Sequence, residues 1–320
     1  MKKILTCLMA ILLIVPFFTA CSSKANENSD DKLSIVVTNF PQYDWLRQIL
    51  GIEIENVELT LLIDSGVDLH NFQPSVEDIA KINDSDMFIY IGGESDTWVE
   101  SVLKNISNDT VIIRLMDVLG DKVKEVQTVE GMEEEHEESH IDELDEHVWL
   151  SLKNAQFICS HLAVGLGKLD IENESIYREN AKEYNLELGK LDQEYKETID
   201  EATFGILLFG DRFPFRYLAD DYDLDYYAAF AGCSAETEAS FETIIFLANK
   251  VDELALSSVM VIEGSNQAIA KTIIQNTASK DQSILVLNSM QAVTGKNISD
   301  GVTYISIIKS NLEVLKKALY

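Results

Sequence analysis

Short apolar runs and longer amphipathic stretches alternate along most of the chain. Leu33–Thr38 is a β-branched run of the kind a buried strand shows, and Tyr43–Leu50 carries apolar residues at helical spacing. Val57–Ile63 reads as a second strand, and Ser75-Val-Glu-Asp78 as a capping box that opens a helix through Ile82. Met87–Ile91, ending in Gly92-Gly93, and Val111–Leu115 read as two further strands. From about Leu150 to Ala202 the pattern turns helical. Ile176, Tyr177, Ala181, Tyr184, Leu188, Leu191, Tyr195 and Ile199 fall close to a 3.6-residue period. A helix from about Ser175 to Glu201 would run ~40 Å at 1.5 Å per residue, a stiff strut. Strands then resume at Gly205–Phe209, Ser258–Glu263 and Ile284–Leu287, with helices at Phe241–Lys250, Gln267–Thr277 and Tyr304–Ala318. The expected fold is α/β: two lobes, 33–174 and 202–320, each a parallel sheet flanked by helices, joined by one long backbone helix over 175–201.

Residues 125–147 break this rhythm. They hold eleven Asp or Glu, three His and no Lys or Arg, so they predict a solvated, mobile loop. The N-terminus breaks it differently. Met1-Lys2-Lys3 is basic, Ile4–Phe18 is apolar but too short to span a bilayer, and Phe18-Thr19-Ala20-Cys21 resembles a bacterial lipobox. Residues 1–20 are therefore expected to be a signal peptide, Cys21 the lipidated first residue, and 21–32 a polar tether. Cys7 leaves with the signal; Cys159 and Cys233 either pair or stand as separate thiols.

Charge narrows the chemistry. With 25 Lys or Arg against 55 Asp or Glu, the 320-residue chain carries a net charge of -30, which repels phosphate backbones and attracts cations. Five His are present, and two of them lie where α/β proteins put ligands. His70 follows the strand Val57–Ile63, and His147 lies where the acidic loop meets the next helix. A neutral imidazole is the commonest nitrogen donor to Zn2+ and its neighbours.

Asp68-Leu-His70 with Phe72-Gln-Pro-Ser75 and Asp78, followed by Asp145-Glu-His147-Val-Trp-Leu150, resembles the two metal motifs of the cluster A-I substrate-binding proteins. These are the zinc or manganese receptors of ABC importers. Tyr177, Asn180, Ala181 and Tyr184, with Leu188 and Leu191, resemble the start of their backbone helix, and Asp86–Trp98 their stretch after the third strand. The resemblance covers about 33–320. It implies two Rossmann-like lobes and one metal in the cleft, with His70 and His147 as ligands. The family's third ligand precedes an aromatic-x-Tyr element. Counting back from Tyr217 reaches Arg212, which cannot ligate, so Asp211 is the candidate. The fourth, a carboxylate after a late strand, falls at Asn288, a weak donor; Glu263 and Cys233 are the substitutes, and a Cys233 thiolate would favour zinc. Glu236 or Glu238 would orient a ligand from behind.

The resemblance thus implies a lipid-anchored, non-enzymatic receptor on the outer face of the cell membrane. It would take Zn2+, or else Mn2+, to the membrane subunits of an ABC permease. His136 and His140 in the acidic loop would collect metal weakly near the cleft. The competing readings are a secreted metal-dependent hydrolase and a surface adhesin with a metal site. No Gly-x-Ser-x-Gly elbow occurs in the sequence. The long helix would restrict hinge motion, so closure on binding should be limited.

Overall fold

A computed structural model of the chain describes residues 32–133, 144–234 and 238–320. Cys21, the signal segment, His136, His140 and Glu236 lie outside the described residues. Among the described residues no helix is long and apolar enough to cross a membrane.

The first half alternates strand and helix: β1 (Leu33–Val37), α1 (Phe40–Leu50), β2 (Val57–Leu61), α2 (Val76–Asn83), β3 (Met87–Tyr90), α3 (Val99–Leu103), β4 (Val111–Arg114) and α4 (Leu115–Leu119). Helix α1 begins three residues before its apolar period does. Asn39 and Gln42 form a capping box there, and Pro41 lies in the first turn. Two helices follow, α5 (Leu152–Leu169) and α6 (Glu174–Asp200), the second within a residue of the long helix expected over 175–201. The second half continues with β5 (Ile206–Phe213), α7 (Arg216–Asp221), β6 (Asp225–Ala231), α8 (Phe241–Glu253), β7 (Ser258–Ile262), α9 (Ala268–Asn276), β8 (Ser283–Leu287), α10 (Gly295–Ser299) and α11 (Tyr304–Leu319).

The strands form two parallel four-stranded sheets of one topology, β2-β1-β3-β4 and β6-β5-β7-β8. Central strands read as unbroken apolar runs because helices cover both faces: Val259, Met260 and Val261 in β7 are buried, as are Phe88 and Ile89 in β3. In such sheets ligands gather beyond the carboxyl ends of the strands. Here those ends carry the loops after β2, β3, β6, β7 and β8, and residues of all five line one cleft of about 730 Å³.

Helix α6 has 27 residues, which is ~40 Å. It buries Tyr177, Ala181, Tyr184, Leu188, Leu191, Tyr195 and Ile199; Ile176, at its first turn, is instead partly exposed. It packs on α1, α5 and α11, and polar contacts pin it to both halves. Asn180 donates to the Ile49 carbonyl of α1 at 2.9 Å, and the Tyr195 hydroxyl donates to the Ile308 carbonyl of α11 at 2.6 Å.

The acidic segment differs from its expected solvated state at both described ends. Asp145, Glu146 and His147 are buried, and the Glu125–Leu144 bridge closes the segment at its base. On the other side Met132 is buried, the Glu133 amide donates to the Ala229 carbonyl, and its carboxylate accepts from Ser240 and Thr243. The charge run conceals residues that find buried partners, which composition alone does not reveal.

Candidate metal centre

His70 sits on a 3-10 turn, Leu69–Asn71, after β2. Asp68 caps this turn by accepting the His70 amide at 3.0 Å, and buried Leu69 anchors it. Phe72 meets Trp98 edge to face, which fixes the turn against the loop that follows β3. That loop supplies Ser95. Its course is set by Asp96, whose carboxylate accepts the amides of Ile91 and Gly92 at 2.7 and 2.9 Å. Burial pushes the Asp96 carboxyl up to about 6, despite these two amides.

His147 has no exposed surface. Asp145 accepts both its amide and its ring Nδ1, each at 2.8 Å. The segment is held from the second half of the chain: Tyr217 donates its hydroxyl to the Asp145 carbonyl, and Trp149 donates its indole N–H to the Ser289 carbonyl, at 2.7 and 2.8 Å.

The two imidazoles meet with their Nε2 atoms 3.3 Å apart. Each Nδ1 faces a carboxylate: Asp145 for His147, and Glu146 at 3.0 Å, beside the Ser95 hydroxyl at 2.8 Å, for His70. The carboxylates place the ring protons on Nδ1, so two Nε2 lone pairs point at each other. That arrangement repels unless a cation lies between them. Two bonds of about 2.0–2.1 Å at a tetrahedral angle put nitrogens about 3.3 Å apart, so the spacing fits Zn2+. Burial alone would raise Glu146, but His70, His147 and Ser95 outweigh it and hold its carboxyl below the usual range. Gly93 makes room for this acid, since a Cβ there would lie 2.2 Å from Glu146 Oε2.

The second half meets these rings with different groups. Among the described residues, the set of ligating side chains with atoms within 4.8 Å of one another is His70, His147 and Cys233. Asp211 lines the cleft outside that set. Its Oδ1 accepts the Arg212 amide at 2.8 Å, and its Oδ2 is buried without a hydrogen bond. The reason lies in β5, where one extra residue separates Phe209 from Arg212 relative to β6. This bulge, with Gly210 pressed against Ala270 of α9, re-aims the side chains that follow. Arg212 pairs with Asp68 of the His70 turn and reaches the Ser234 carbonyl. Burial would raise the Asp68 carboxyl, but the Arg212 guanidinium outweighs it and holds it low.

Glu263 also lies outside the converging set, for a structural reason. Both its oxygens hold the loop after β8, accepting the Ser289 amide and hydroxyl at 2.6 and 2.8 Å and the Gln291 amide at 3.0 Å. Asn288 turns its side-chain oxygen to the Met290 amide at 2.8 Å and does not line the cleft. Glu238 is exposed. Cys159 is buried in α5, and neither it nor Cys233 forms a disulfide. Residues that sequence reasoning passed over are Ser95, Glu146 in its contact with His70, and Gln291, whose amide lies 3.4 Å from His70 Nε2. The one signal for Gln291 was its place three residues after Asn288 in the loop where the family keeps its fourth ligand.

The chain is 31% identical over 319 residues to the zinc-binding lipoprotein AdcA of Streptococcus pneumoniae, covering 99% of this chain and 61% of that protein. It thus spans about three fifths of that relative. Identity is also 31% over 319 residues to the high-affinity zinc uptake system protein ZnuA of Bacillus subtilis, covering 97% of this chain and 95% of that protein. Among solved structures, the metal-dependent lipoprotein YcdH of Bacillus subtilis superposes with a TM-score of 0.73 at 29% identity, over 90% of this chain and 99% of that one. The Zn(II)-bound ZnuA-like domain of Streptococcus pneumoniae AdcA does so with a TM-score of 0.70 at 27% identity, over 90% and 99%. The family model for the periplasmic zinc-uptake complex component A, ZnuA, matches residues 35–318, and the chain belongs to that family.

Proposed function

We propose that this protein is the extracytoplasmic receptor of an ABC importer, that His70 and His147 take Zn2+ in the cleft, and that the ion passes from there to the membrane permease. The observation that carries the reading is the pair of Nε2 atoms 3.3 Å apart, each ring oriented by a carboxylate on its far nitrogen. The net charge of -30 favours encounter with cations, and the zinc-related names of the relatives point to the same ion. The metal is cargo, and no catalysis is part of the proposal. Glu146, the acid beside His70, is engaged with His70 and Ser95, which leaves it unsuited to activating a metal-bound water. The contacts of α6 to both halves support small closing motions. The lobes run over 33–174 and 202–320 with α6 as the link, and a lipid on Cys21 holds the receptor at the membrane.

Calorimetric titration of the metal-stripped protein with Zn2+ tests this. One tight site is expected, and His70→Ala or His147→Ala should each weaken it by at least about 100-fold, the upper end of what outer-shell changes cost. Zinc binding that is unchanged in both variants would refute the reading, and hydrolytic turnover by the loaded protein would refute the carrier role.

A further inference from the structure

We propose that Cys233 and Gln291 complete the zinc site, making it a two-imidazole, one-thiolate centre with an amide oxygen in the fourth position. This rests on the placement of metal at His70 and His147 proposed above, and it names the chemistry of the remaining ligands.

The first observation is convergence. Cys233 brings its sulfur within 4.8 Å of ligating atoms of both histidines. Tetrahedral zinc with bonds of about 2.05 Å to nitrogen and 2.3 Å to sulfur sets the N···S separation at about 3.6 Å. The sulfur therefore has to close by no more than about 1.2 Å, a small side-chain adjustment. The backbone is built for this approach. A Cβ at Gly232 would lie 2.8 Å from the Phe213 carbonyl, 3.0 Å from Pro214 Cα and 3.3 Å from His147 Cε1. The chain thus runs directly against the His147 ring, and the glycine lets the next residue reach it.

The second observation is independent of the cysteine. Gln291 is 5% exposed, and its Oε1 has no hydrogen-bond partner among the described residues. A buried amide oxygen left without a partner is costly. The same amide lies 3.4 Å from His70 Nε2, so a half-turn of its plane aims the oxygen into the place where the ion would sit. Glu263 fixes the Gln291 backbone at 3.0 Å and so holds the amide at this spot.

The third observation is what the second half of the chain lacks at this point. Glu263 is committed to the loop, Asn288 turns away, Asp211 lies outside the converging set, and Arg212 is paired with Asp68. The set that meets the ion is then two neutral imidazoles, one thiolate and one neutral oxygen. On binding, the Cys233 thiol forms a bond from sulfur to zinc and gives its proton to solvent. A soft thiolate and no carboxylate suit Zn2+ and disfavour Mn2+, which prefers hard oxygen ligands and stands lowest in the divalent series. The site is therefore selective for zinc over manganese by ligand type.

The test uses the intact protein loaded with Co2+ in place of Zn2+. A sulfur-to-cobalt charge-transfer band in the near ultraviolet is expected, together with the visible bands of tetrahedral cobalt. Cys233→Ser should abolish the ultraviolet band, weaken zinc by about 10- to 100-fold, and narrow the preference for zinc over manganese. Gln291→Glu should raise manganese affinity. X-ray absorption of the unaltered zinc-loaded protein supplies a measure that needs no variant, with one sulfur expected at about 2.3 Å. Tight zinc binding that depends on His70 but shows no sulfur in either spectrum would overturn this inference and leave the histidine site standing. Failure of the unaltered protein to bind zinc at all would overturn both.

Discussion

The two halves of the molecule bring the same strand order to the cleft but treat their polar residues in opposite ways. In the first half the acids serve the imidazoles: Asp145 and Glu146 orient His147 and His70 from behind and leave both Nε2 atoms facing inward. In the second half Glu263 holds the loop after β8 with both oxygens, while Asp211 gives one oxygen to the Arg212 amide and lies outside the converging set. One half thus presents two imidazoles already oriented by acids. The other offers a thiol and an amide on loops that glycine and glutamate position. The lesson is that an acidic residue beside a strand end marks a ligand only when its lone pairs are not already spoken for.

Four substitutions sharpen that contrast, taken from the largest expected effect on zinc binding to the smallest. His147→Ala removes the buried imidazole proposed as a ligand and should lower zinc affinity by at least about 100-fold in calorimetry. Asp145→Asn keeps the ring but removes the charge that orients it, so a loss of about 10- to 100-fold is expected in the same titration. Glu263→Ala should unfold more readily, by about 1–3 kcal/mol in urea, because three donors lose their acceptor. Its zinc affinity should fall by less than about 10-fold, since it acts only through the loop that carries Gln291. A drop in affinity as large as that of His147→Ala would return Glu263 to the ligand set and erase the contrast. Asp96→Asn tests the loop that carries Ser95. Burial raises the folded Asp96 carboxyl from 3.8 to about 6, so the folded state binds more protons than the unfolded state across that window. This group's contribution to stability therefore declines as pH rises from about 4 to about 6, and Asp96→Asn should flatten the dependence seen in thermal unfolding.

The readable parts of the fold and the site share one property: their determinants are close in sequence. Helix α6 shows its period in full, and α2 shows its capping box at Ser75. His70 and His147 each lie within two residues of an acid that holds them, so their motifs are visible without a structure. Strand β6 escaped notice because Asp225-Tyr-Tyr-Ala-Ala-Phe-Ala231 lacks both alternation and branched residues; it is a strand because β5 pairs with it and α8 covers it. The aim of the Asp211 side chain depends on the bulge beside it in β5, which shows only in the pairing of β5 with β6. The commitment of Glu263 depends on Ser289 and Gln291, which follow 26 and 28 residues later, and no local pattern announces it. The burial of Asp145 and Glu146 was hidden in the same way, inside a charge run whose composition reads as solvated.

The most direct test of the account is a crystal structure of the zinc-loaded protein with anomalous scattering recorded at the zinc absorption edge. A single strong peak is expected between His70 and His147, about 2.0–2.1 Å from each Nε2. A peak elsewhere in the molecule, or rings that have turned their Nε2 atoms away from it, would contradict it.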